Sequence, residues 1–209
     1  LDYYSNELIR SAVDLHSSGY CWINRDMLLS APEEIGLRVL SRVIGAVGAG
    51  TTTPRYKRLE RLFVDIVNNV SGNGRTLAGC RIITRSDRIL VCREIRGIGD
   101  RVALKPGQYR RWDARFDVRL LGAFTAHLAE FFEVRRLGQE GWRTVVTHLK
   151  ETANENIQIM PPAVRTTLPA LWDQKGLVDV PHLSFHRNGP KLELDVHFTP
   201  CRPLEIPPF

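Results

Sequence analysis

The stretch RTLAGCRIITRSDRILVCREI, residues 75–95, decides how the chain divides. Two runs rich in β-branched and apolar residues flank the turn residues Ser86 and Asp87, which is the pattern of an antiparallel hairpin. Cys80 and Cys92 stand at comparable places in its two arms, so they read as cross-strand neighbours and, as core thiols, as small hydrophobes. The residues before this stretch have a helical texture and those after it are dominated by short strands. The sequence therefore predicts an α+β chain: a helical N-terminal lobe over residues 1–71, then a β-rich mixed C-terminal lobe over residues 72–209, with SGNG (71–74) at the boundary.

Immediately upstream, PRYKRLERLFVDIVNNV (54–70) reads as a helix capped by Thr53 with Pro54 at its first position. Tyr56, Leu59, Leu62, Phe63, Ile66, Val67 and Val70 mark its buried stripe. Arg55, Lys57, Arg58 and Arg61, with Glu60 the one acid among them, make the densest basic patch in the chain. Further back, Pro32, Glu33 and Glu34 open a helix whose apolar positions Ile35, Val39, Leu40, Val43, Ile44 and Val47 follow the 3.6-residue period. Arg38 and Arg42 lie one turn apart on its polar flank, and the glycines of GAVGAG (45–50) end it by supplying positive φ. SAVDLH (11–16) and YCWINR (20–25) form a short strand pair, and Asn24 caps a short helix over 26–30.

Downstream, RVALKPGQYRRWDARFDVRLL (101–121) holds two strands around the Lys105-Pro106-Gly107 turn, and EFFEVRRL (130–137) a further one. GQEGWRTVVTHLKETANENI (138–157) is helical in pattern, with Trp142, Val145, Val146 and Leu149 in register, and Pro161-Pro162 opens a short helix. TLPALWDQKGLVDVPHL (167–183) is a hairpin with Leu171, Leu177 and Val180 toward a core and Asp173 at the turn; KLELDVHFTP (191–200) is the last strand.

The 209 residues suffice for a core without covalent staples. Four cysteines without CxxC spacing point to free thiols in a reducing, cytoplasmic compartment. No apolar run reaches the ~18 residues that a spanning helix needs, so no membrane partner is expected. Lys and Arg number 29 against 23 Asp and Glu, and 24 of the basic residues are Arg, whose planar fork suits phosphate and base stacking. GAVGAGTTT (45–53) lacks the preceding strand and the Lys of a phosphate loop. His182 and His186, roughly 13 Å apart if on one strand, are too distant to share a metal. No GxSxG or comparable nucleophile motif occurs, so neither a catalytic nor a metal centre is expected in this chain. Lys57, Arg58 and Arg61 share one helix face, and such a row can follow a phosphate backbone.

In order, the segments AVDLHSSGYCWINRDMLLSAPEEIGLRVLSRVIGAVG, PRYKRLERLF, RTLAGCRI, RILVCRE and AVRTTLPALWDQKGLVDVPHL resemble the region after the catalytic domain of tRNA(Ile)-lysidine synthases, particularly the alphaproteobacterial type. The resemblance runs from about Ser11 to Phe198; TLAGCRI and LPALWD with VPHL are its most specific pieces, and residues 99–156 depart most from it. It implies a parent ligase whose N-terminal ATP-pyrophosphatase domain, with an SGGxDS loop, uses ATP (with Mg) to adenylate the first-anticodon-position cytidine of tRNA(Ile) before lysine displaces AMP. That loop does not occur in this sequence, which opens on Leu in mid-pattern as a piece of a longer protein would. The expectation is the tRNA-binding portion of such an enzyme, without cofactor of its own and inactive alone. Its partner would be tRNA(Ile), contacted through Arg55, Lys57, Arg58 and Arg61, with Arg38 and Arg42 extending the surface. The rivals are a self-contained enzyme with an unrecognised His/Asp site, and a stand-alone RNA-binding or dimerisation domain that forms a homodimer.

Overall fold

The computed structural model describes residues 1–50, 53–70, 74–99, 101–122, 131–152, 160–188 and 192–205. The boundary expected at residues 71/72 and the end of the helix expected over 138–157 lie outside them. Two compact units are present, Leu1–Gly97 joined by Pro200–Phe209, and Ile98–Thr199.

In the first unit, helix α1 (Asp2–Ala12) leads into strands β1 (Val13–His16) and β2 (Tyr20–Asn24), then helices α2 (Arg25–Ser30), α3 (Glu33–Val47) and α4 (Tyr56–Val67). The hairpin of residues 75–95 follows as β3 (Arg75–Leu77), β4 (Cys80–Thr84) and β5 (Arg88–Arg93). The outer edge of β5 pairs antiparallel with β2, giving one sheet in the order β1-β2-β5-β4-β3. An unpaired edge would leave a row of backbone donors and acceptors open, and β2 closes it. The hairpin expected to open the C-terminal lobe therefore belongs to the first unit, and the chain divides at Gly97 and Ile98.

Register corrects a second expectation. Cys80 pairs with Arg93 and Arg81 with Cys92, so a one-residue offset puts the two thiols on opposite faces of the sheet. The row Ile82, Val91 and Cys21 faces the helices and packs with Val39, Leu40, Val43, Ile44 and Val47 of α3 in a fully apolar core. The α3 stripe is the one its periodicity predicts. Gly36 lets α4 approach, since a Cβ there would lie 2.8 Å from the Phe63 ring.

The end of α3 differs in detail from expectation. Gly48 has φ −82°, and the left-handed turn is made by Ala49 (φ 70°) and Gly50 (φ 63°). Gly48 is needed for space instead, because a Cβ would stand 2.4 Å from the Ala78 carbonyl oxygen.

In the second unit a five-stranded sheet, order β12-β11-β10-β9-β6, and a three-stranded sheet, order β13-β8-β7, are both antiparallel. Their strands are β6 (Val102–Leu104), β7 (Tyr109–Trp112), β8 (Phe116–Gly122), β9 (Phe132–Arg136), β10 (Pro169–Asp173), β11 (Gly176–Val180), β12 (Phe185–His186) and β13 (Leu192–Phe198). Helix α5 (Gly138–Thr152) follows β9, and a single helical turn, Pro162–Arg165, precedes β10. Trp112, Phe116, Val118, Leu120, Phe132, Val134, Leu171 and Leu194 form the core. The chain is α+β, with most helices N-terminal, as the sequence predicts.

The 167–183 stretch is a hairpin of β10 and β11 that closes on the Asp173–Gly176 pair. Leu171, Leu177 and Val180 are buried as expected, but Ala170, Trp172 and Val178 are buried too, so both faces are covered. Its acids are structural. Burial alone would raise Asp173, yet hydrogen bonds from Arg187 and from the Lys175 amide, the latter at 2.8 Å, outweigh it and hold its pKa low. Asp179 accepts the Leu194 N–H at 2.7 Å, joining the two sheets, and burial pushes its pKa up. The two histidines have different surroundings: the His182 ring meets Phe116 edge-on, and His186 Nδ1 lies 3.6 Å from Asp179.

Candidate nucleic-acid interface

Helix α4 is built to present charge. Leu59, Leu62, Phe63 and Ile66 fix one face in the core, so Lys57, Arg58 and Arg61 must point outward, with Arg55 just before them. Tyr56, Val67 and Val70, expected in the buried stripe, are exposed: the first two are the end residues of the helix, and Val70 lies beyond it.

The start of α4 is also later than expected. Residues through Arg55 stay extended, and Arg55 holds the cap position with φ −66° and ψ 135°. Thr53 does not cap; its hydroxyl accepts a hydrogen bond from Arg202 Nη1 at 2.8 Å. No side chain caps the first turn, so the amides of Tyr56 and Lys57 face outward unsatisfied by a cap. No acid lies in that turn. Three cations, Arg55, Lys57 and Arg58, thus sit where the helix dipole is already positive, an arrangement that costs roughly 0.3–1 kcal/mol per charge in the first turn instead of gaining it.

The far end of α4 is capped the opposite way. The Arg25 guanidinium donates to the carbonyls of Ile66 at 3.1 and 3.0 Å and of Val67 at 3.0 Å, a cation on the negative end of the dipole. One end is electrostatically settled and the other is not.

Several other arginines of the unit are paired with carboxylates. Arg10 bridges Glu7 and Glu205, Arg38 bridges Glu34 at 3.0 Å, and Arg75 bridges Asp65 at 2.5 Å. Arg42, with its side chain 12% exposed, donates to Asn6 Oδ1 at 2.8 Å and Asp2 Oδ1 at 2.5 Å, tying α3 to α1. Arg55, Lys57, Arg58 and Arg61 have no carboxylate within ion-pair distance among the described residues. Glu60, the one acid nearby, pushes the Tyr56 hydroxyl pKa up through its charge and a hydrogen bond. The row borders an open depression of about 550 Å³ lined by Lys57, Glu60, Arg61, Val64, Asp65 and Arg75. Of the six basic residues singled out from the sequence, four therefore form one uncompensated patch. Arg38 is paired on an exposed turn, and Arg42 holds the fold together.

The glycine segment lies partly inside α3, and at Gly48 it packs against the Ala78 carbonyl. Among the described residues no three His, Cys, Asp or Glu side chains converge as a metal site would require. No helix among them is long and apolar enough to cross a membrane.

No protein-family profile matches the chain. It is similar to the tRNA(Ile)-lysidine synthase of Wolbachia pipientis wMel, with 33% identity over 123 residues that cover 58% of this chain and 28% of that protein. The tRNA(Ile)-lysidine synthase of Anaplasma marginale (strain St. Maries) is 27% identical over 128 residues, with the same shares. That of Ruegeria pomeroyi is 27% identical over 164 residues, covering 78% of this chain and 34% of that protein. The chain spans about 28% of the length of the first two relatives. The alphaproteobacterial resemblance read from its segments is thus reproduced over more than half of its length.

Proposed function

We propose that this chain is the tRNA-binding portion of a tRNA(Ile)-lysidine synthase, in which the uncapped, basic start of α4 holds the phosphate backbone of tRNA(Ile). The observation that carries this reading is the clustering of four cations, Arg55, Lys57, Arg58 and Arg61, along one stretch of chain with no carboxylate partner among the described residues, whereas Arg10, Arg38, Arg42 and Arg75 are paired. Cations with no internal partner, set a helical turn apart at the positive end of a dipole, raise the local concentration of a polyanion and accept its phosphates without breaking an existing ion pair.

On this reading the parent enzyme works in the cytoplasm. Its ATP, Mg and lysine are handled by residues outside this chain, and the chain contributes grip and orientation. Lysidine formation then needs a nucleotide-binding domain in addition. The test is a turnover assay with ATP, lysine and tRNA(Ile): this chain alone yields no lysidine, while tRNA(Ile) binds it in a filter assay with affinity that falls as salt rises. Lysidine made by the chain alone, or no tRNA affinity at low salt, would overturn the reading.

A further inference from the structure

One aromatic ring of the first unit lacks a stacking partner. Tyr56, the first residue of α4, is 63% exposed. The other described aromatic residues of the unit are engaged. Tyr3 and Tyr4 meet edge-on at 5.5 Å, Tyr20 stacks on His16 at 4.7 Å, Trp22 carries the Arg88 guanidinium at 4.2 Å, and Phe63 is buried. Among the described residues neither a ring nor a guanidinium lies over Tyr56, although Arg55 and Lys57 are its neighbours in the chain and Arg58 follows.

The hydroxyl end of the ring is held. Tyr56 donates a hydrogen bond to Glu60, one helical turn on, and Glu33 and Glu34 at the start of α3 act on the same hydroxyl through their charge. Glu34 is itself paired with Arg38 at 3.0 Å. Glu60 is the one acid in the basic row, where it works against binding of a polyanion, and its bond to Tyr56 gives it a use: it fixes the direction of the ring. A tyrosine has only two side-chain torsions, and with its hydroxyl tied it gives up little freedom when another ring stacks on it.

The charges beside the ring indicate what stacks there. Arg55, Lys57, Arg58 and Arg61 have no carboxylate within ion-pair distance among the described residues. Cations interleaved with an exposed aromatic side chain are the combination that binds single-stranded nucleic acid, the cations following the backbone and the ring taking a base. Within a duplex the base faces are covered by the neighbouring pairs, so a protein ring stacks on bases of single-stranded loops, bulges and ends.

We propose that Tyr56 stacks on an unpaired base of the bound RNA while Arg55, Lys57 and Arg58 take the phosphates beside it. The inference rests on the reading of α4 as the RNA surface. It adds that the strand held there is single, so that α4 meets a loop or an end of the tRNA and not a stem.

The test uses the full chain and two ligands of equal length, a single-stranded RNA without self-complementarity and an RNA duplex, each titrated at several chloride concentrations. Tyr56→Ala should weaken binding of the single strand by about 5- to 140-fold, the equivalent of the ~1–3 kcal/mol that one stacked base contributes. The slope of log Kobs against log salt should stay where it was, since no charge is lost. Affinity for the duplex and Tm should remain those of the parent. Tyr56→Phe keeps the ring and should recover most of the affinity for the single strand. An Ala variant that binds the single strand as the parent does, or that loses the duplex equally, overturns the proposal, as does a parent chain that binds only the duplex. A Phe variant as weak as the Ala variant overturns it too, because the hydroxyl and not the ring is then the contact. Failure of the underlying reading looks different: K57A/R58A/R61A then leaves the salt slope of both ligands unchanged, and the two fall together.

Discussion

Arg42→Ala separates the two roles that a surface arginine of α3 can have. The Arg42 guanidinium donates to Asn6 Oδ1 at 2.8 Å and Asp2 Oδ1 at 2.5 Å, and these bonds join α3 to α1. Asn6 is 7% exposed, so Arg42→Ala takes a charged hydrogen bond from a buried amide oxygen, at a cost of about 1–3 kcal/mol. Asp2 is half exposed, and a pair of that kind contributes about 0–1 kcal/mol. Together the loss is about 1–4 kcal/mol, and for a chain of this size each kcal/mol lowers Tm by roughly 2–4 °C. Thermal unfolding followed by circular dichroism should therefore show Arg42→Ala melting ~2–16 °C below the parent. The salt dependence of tRNA binding by the protein still folded should be unchanged. Arg42→Lys recovers only part of the loss, because an ammonium group does not reproduce the fixed fork that spans both acceptors. An Arg42→Ala protein with the parent Tm and a salt slope shallower by about one phosphate would refute the structural role.

Two further predictions concern stability. Gly48→Ala places a methyl group 2.4 Å from the Ala78 carbonyl oxygen and 3.0 Å from Cys80 Sγ, and because the nearest atom is backbone the loss should lie toward the upper end of about 1–3 kcal/mol in a denaturant titration; a midpoint unchanged from the parent would show that the approach of α3 to Ala78 is looser than described. Acid should weaken the second unit in a defined window: burial raises Asp117, but hydrogen bonds from Arg111, Tyr109 and Thr199 outweigh it and bring its pKa to about 2, and Asp173 is lowered for a similar reason. A carboxylate whose folded pKa is depressed contributes stability that is fully present above its unfolded pKa of about 4 and is lost as pH falls through the folded value, so stability should decline from about pH 4 toward 2, with Asp179, whose pKa is raised, acting in the opposite sense. Asp117→Asn should flatten that decline in urea titrations at stepped pH; an unaltered acid limb would contradict the network.

What could be read from the sequence was whatever depends on neighbours a few residues apart. The α3 stripe, the Asn24 cap, which accepts the Met27 amide at 3.0 Å, and both hairpins follow from local periodicity and turn residues. Helix α1 was illegible because its buried positions include Ser5 and Asn6, polar residues that give no apolar stripe. The unit boundary was misplaced because it depends on β2 pairing with β5 across more than 60 intervening residues, and no local pattern announces such a partner. The cationic row was visible as composition, but not which cations stay unpaired: Arg42 and Arg61 look alike until Asn6 and Asp2 are brought beside one of them.

The measurement that bears most directly on the proposed function is the slope of log Kobs against log salt for tRNA(Ile), compared between the parent chain and K57A/R58A/R61A. Each phosphate neutralised contributes about 0.7–0.9 to the slope, so losing three contacts should make it shallower by about 2–3 with Tm unchanged. Equal slopes for the two proteins would contradict the assignment of α4 as the surface that holds the RNA.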